Sequence, residues 1–68
     1  MSQYYEIRLK DQLDPLWSES FAGLRVTHPN ADETLLSGFL PDQTALHGIF
    51  KLIRDLNLVL ISVYREER

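Results

Sequence analysis

The chain contains no cysteine. Disulfides and thiolate metal sites are therefore excluded, and stability has to come from packing or association. Only three glycines and three prolines occur in 68 residues, and no glycine-rich phosphate loop or proline-rich linker is present. The longest apolar run is four residues, Leu58 to Ile61, against the roughly 20 that span a bilayer. No basic segment precedes an apolar one in Met1-Ser2-Gln3-Tyr4-Tyr5-Glu6, so no signal peptide is expected. Basic residues are a scattered minority, 7 against 10 acidic, for a net charge of -3. The basic stripe of a nucleic-acid binder is missing. These absences predict a cytoplasmic chain with neither a membrane nor a nucleic acid as partner.

What remains is an ordinary globular composition, 44% hydrophobic and 25% charged. Residues 1–68 form one domain. A chain of this size buries only about 60% of its unfolded surface, so it is marginal alone and self-association gains weight.

Tyr4 to Lys10 alternates, with Tyr5, Ile7 and Leu9 on one side, as a half-buried strand does. Asp14-Pro15 is a helix start, and Leu13, Trp17 and Phe21 recur every four residues. A short helix is expected from Asp14 to Ala22, stopped by Gly23. Leu24 to His28 alternates again, with Leu24 and Val26 inward. Pro29-Asn30-Ala31-Asp32 reads as a turn, and Glu33 to Leu40 as the returning strand of a hairpin. Gly38 is expected to allow a bulge or twist there.

Asp42 caps the second helix, whose apolar stripe runs through Ala45, Leu46, Ile49, Phe50, Leu52, Ile53 and Leu56. Asn57 closes it in a left-handed conformation. Leu58 to Arg65 is the last strand, followed by a solvated tail, Arg65-Glu66-Glu67-Arg68. Strand, helix, strand, strand, helix, strand is the α+β ferredoxin-like βαββαβ pattern. Right-handed crossovers predict both helices on one face of an antiparallel sheet ordered 4-1-3-2.

Several stretches are shared with a known group. They are Tyr5-Glu6-Ile7-Arg8, Leu13-Asp14 with Trp17-Ser18, Phe21-Ala22-Gly23-Leu24, Glu33-Thr34-Leu35-Leu36-Ser37-Gly38, Asp42-Gln43 with Ala45-Leu46-His47-Gly48, and Ile53-Arg54-Asp55-Leu56. Through these the chain resembles a family of short uncharacterised bacterial proteins. The run from Asp42 through Asp55 is the most specific part. The resemblance implies a bacterial source and no activity, and the fold pattern alone does not decide function.

No catalytic, cofactor or metal site is expected. The two histidines, His28 and His47, lack the carboxylate spacing of a metal site and read as ordinary surface residues. Ser37-Gly38 is only half of a nucleophile elbow. Asp14 and Asp42 serve as caps, and Lys51 with Asp55 reads as a solvated helix pair. The loop Lys10-Asp11-Gln12-Leu13-Asp14 is acidic and glycine-free, so it offers no anion site. RNA-recognition domains stack bases on aromatics of a similar sheet, yet Glu33 to Leu40 lacks their basic aromatic motif.

The open sheet face carries the functional expectation. With Tyr5, Ile7, Leu9, Leu36, Ile61 and Val63 toward the helices, Tyr4, Arg8, Leu35, Phe39, Leu60 and Tyr64 fall together on the other side. Apolar residues mixed with Arg are interface material. The expected function is a protein-interaction module that forms a homo-oligomer through this face or through the last strand as an edge. The alternative is a regulatory module holding a small molecule at a dimer interface.

Overall fold

The computed structural model describes residues 2–66. It holds β1 (Gln3–Lys10), a 3-10 helix (Pro15–Phe21), β2 (Arg25–Asn30), β3 (Glu33–Leu40), α1 (Gln43–Asp55) and β4 (Leu60–Glu66). The four strands form one antiparallel sheet in the order β2-β3-β1-β4. The fold is thus a small α+β domain with two helices. Positions 1, 67 and 68, including the end of the expected tail, lie outside the described residues; Arg65 and Glu66 belong to β4.

The alternation in β1 becomes burial directly. Tyr5, Ile7 and Leu9 are buried, and their partners on β3 are Gly38, Leu36 and Thr34. Phe21 of the 3-10 helix and Ile49 and Ile53 of α1 join them in one core with Leu24 and Leu40. Burying such side chains contributes roughly 1.5–3 kcal/mol each.

Four expectations need correction. First, Pro15–Phe21 is a 3-10 helix rather than an α-helix. Its residues must carry the chain from the end of β1 back to the start of β2, against which the helix packs. A 3-10 helix rises about 2.0 Å per residue against about 1.5 Å, so seven residues reach further. Asp14 caps it as expected, accepting from the Leu16 amide, and Ala22 as well as Gly23 takes the left-handed conformation.

Second, Pro29 and Asn30 belong to β2, and only Ala31 and Asp32 make the turn. The Asn30 side chain accepts from the Asp32 amide at 2.9 Å, a local bond that mimics a backbone turn. Third, the β1–β3 ladder runs through Gly38 without a register break. That glycine, at φ +149, instead admits Leu24: a Cβ there would lie 3.0 Å from the Leu24 Cδ2.

Fourth, β4 begins at Leu60, and Ile61 and Val63 are not core residues, being 46% and 41% exposed. A helix with its side chains is about 10–12 Å across, and strands lie about 4.8 Å apart. One α-helix and a single 3-10 segment do not roof four strands, and the edge beyond β1 stays bare. The second helix otherwise follows expectation. Asp42 accepts from the Ala45 amide, and Asn57 is left-handed at φ 59.

Candidate functional site

Pairing places residues directly opposite one another on the same face of a sheet. The uncovered face therefore holds three rows. Phe39, Tyr4 and Glu66 form the first. Arg25, Ser37, Glu6 and Tyr64 form the second, and Thr27, Leu35, Arg8 and Ser62 the third.

This brings Tyr4 against Phe39, edge to face with ring centroids 5.4 Å apart. It sets Arg8 beside Leu35. Tyr64 stands beside Glu6 in the next row, with β1 between it and Phe39. Leu60 leaves the set. A bulge between Arg8 and Leu9 shifts the register so that Leu60 opposes the buried Leu9. The expected grouping of Leu35, Phe39, Leu60 and Tyr64 is thus dispersed, three on separate rows and one at a position of the other face.

The middle of the open face is polar and carries side-chain bonds within the chain. The Tyr4 hydroxyl donates to Glu6 at 3.1 Å, and the Arg8 guanidinium donates to Glu33 at 2.6 Å. Arg8 and the Asn30 amide both donate to Glu33, and together they hold its carboxyl below the usual carboxylate range. Arg8 is therefore engaged within the chain.

The apolar surface lies instead along the β4 edge. Val59, Leu60, Ile61, Val63 and Tyr64 are 41% to 57% exposed. Among the described residues β4 pairs with β1 alone. Sequence reasoning put Val59 on the same side of the strand as Ile61 and Val63, with the latter two under the helices, and offered Leu58 to Tyr64 as an edge. The four-residue run Leu58 to Ile61 was the available signal.

The remaining candidates stay apart. His28 Nε2 lies 2.7 Å from the Leu13 carbonyl oxygen, and His47 lines a shallow groove on α1 with Phe50, Lys51 and Arg54. A second concavity of about 120 Å³ sits between Gln3, Tyr5, Leu40, Asp42, Gln43 and Arg65. That is below the roughly 300 Å³ at which small-molecule pockets begin, whereas the α1 groove reaches about 320 Å³ but lies open on the surface. No group of three metal-ligating side chains is found among the described residues, and none of their helices is long and apolar enough to cross a membrane.

Fold and surface thus define a small α+β domain on an antiparallel sheet, with one face open and one edge strand apolar. The chain belongs to the family described as Domain of unknown function (DUF8691), whose model matches residues 4–64. No curated protein and no solved structure matches it.

Proposed function

We propose that this domain is a ferredoxin-like βαββαβ interaction module of a bacterial cytoplasmic protein, and that it self-associates through β4. The observation that carries this reading is the edge itself. Among the described residues, the outer backbone row from Leu60 to Tyr64 meets no further strand and runs beside five exposed apolar residues, and such edges are ready templates for a further strand. The polar, internally bonded centre of the open face favours the edge over sheet-on-sheet packing. Small size adds a second reason, since association covers surface that 68 residues cannot cover alone.

Sedimentation velocity from low to high micromolar protein tests the proposal. A sedimentation coefficient that rises with concentration is the expected result, and a Val63→Lys variant stays monomeric. Wild-type protein that remains monomeric at high micromolar concentration overturns it.

A further inference from the structure

We infer that two copies of this chain join β4 to β4 antiparallel about a two-fold axis, with Ser62 facing its own counterpart. The inference rests on the self-association proposed above and specifies its geometry. A two-fold axis that joins two edge strands antiparallel stands perpendicular to the sheet. It keeps the helices of both copies on one side, and it requires one residue to lie opposite itself.

Three centres lie near the middle of the exposed stretch, and opposed residues must share a face, so the bulge residue Ile61 shares its partner with Leu60. With Val63 on the axis, Leu60 and Ile61 oppose Arg65 and Val59 opposes Glu66, so apolar side chains meet charged ones. With Ile61 on the axis, Leu60 would oppose Ser62, which lies on the other face. With Ser62 on the axis, Leu60 and Ile61 oppose Val63 and Val59 opposes Tyr64, each set occurring twice. The one small polar residue of the stretch then meets only itself.

The β4 bulge points the same way. A bulge adds local right-handed twist, which turns an edge away from a flat partner strand. A second copy carries the same twist, and an axis at Ser62 sets the two bulges symmetrically on either side of it, each against Val63 of the other copy. Full covering of Val59, Leu60, Ile61, Val63 and Tyr64 on both copies would remove at most about 1,000 Å² in total, at the small end of specific interfaces. The expected dimer is therefore a micromolar one.

The absence of native cysteine makes a clean test. Opposed residues of an antiparallel pair have Cα atoms about 4.5–5.5 Å apart, within disulfide range. Ile61→Cys, Ser62→Cys and Val63→Cys are each oxidised mildly, with Thr27→Cys on β2 as the control. Circular dichroism confirms the fold and sedimentation the association of each variant.

Ser62→Cys is expected to form a covalent dimer at least tenfold faster than the other three, and mixed Ile61→Cys and Val63→Cys to form a heterodimer. Fastest linkage at Ile61→Cys or Val63→Cys overturns the Ser62 axis and leaves self-association standing. Dimers in sedimentation with no linkage at any β4 position overturn the strand pairing. Folded monomers throughout overturn both this inference and the proposal beneath it.

Discussion

Strand β2 ends the sheet with Arg25, Thr27, His28, Pro29 and Asn30, whereas β4 ends it beside Val59 with Leu60, Ile61, Val63 and Tyr64. Both edges are exposed, but they present different chemistry. Pro29 lacks an amide donor, and the β2 ladder loses register between Thr27 and Asn30. His28 is held against the Leu13 carbonyl oxygen, and Ser18 donates to the Leu24 carbonyl oxygen at 2.6 Å. The segment before β2 is thus bonded to it on one flank. The β4 edge has a bulge but no proline, and its lysine-free apolar stretch runs unbroken except for Ser62. One edge is blunted by the devices that prevent strand addition, and the other keeps most of what strand addition needs.

The largest effect expected from testing this contrast is in the support of β2. Phe21 is fully buried and anchors the 3-10 helix, so Phe21→Ala costs about 3–5 kcal/mol of folding stability in urea titration. Val63→Ala on the bare edge costs less than about 1.5 kcal/mol, and equal losses at the two sites would erase the distinction.

Thr34→Val comes next. Its buried hydroxyl donates to the Asp11 carbonyl oxygen and accepts from the Leu13 amide, both at 2.8 Å, which pins the loop leading to the 3-10 helix. Replacement strands both groups and costs about 1–3 kcal/mol by the same titration.

Val63→Lys acts on association instead. It weakens the dimer at least tenfold, or about 1.4 kcal/mol, in sedimentation equilibrium. Thr27→Lys on β2 leaves association unchanged, and a similar loss there would mean that both edges take part.

The smallest effect is electrostatic. Glu33 has a carboxyl pKa lowered by Arg8 and Asn30. Its contribution is present above the unfolded carboxylate pKa and is lost as pH falls through the lower folded value. Arg8→Gln flattens that acid-side slope in denaturation midpoints measured against pH. An unchanged slope would show that the pair contributes nothing.

Much of the fold was legible in the sequence because local patterns carry it. The period-2 run of β1, the Asp42 cap, the stripe from Ala45 to Leu56 and the turn of Asn57 each depend on residues a few positions apart. The candidate site was less legible. Tyr4, Arg8, Leu35, Phe39 and Tyr64 kept the expected face, because strand parity is local. Leu60 lost it to a bulge that exists only where β4 meets β1, about 50 residues away in the chain. The 3-10 geometry of the Pro15–Phe21 segment was similarly hidden, since the distance it crosses is set by the sheet it returns to.

Sequence alone determined that this chain folds without disulfides, that its β1 side chains divide into two faces, and where α1 starts and stops. Tertiary structure decided which apolar residues stay in water. Two narrow helical segments pack over β2 and β3 more than over β4, so Ile61 and Val63 are apolar in pattern yet exposed in fact. No local rule registers that outcome, because coverage depends on how wide the sheet is and where the helices come to rest.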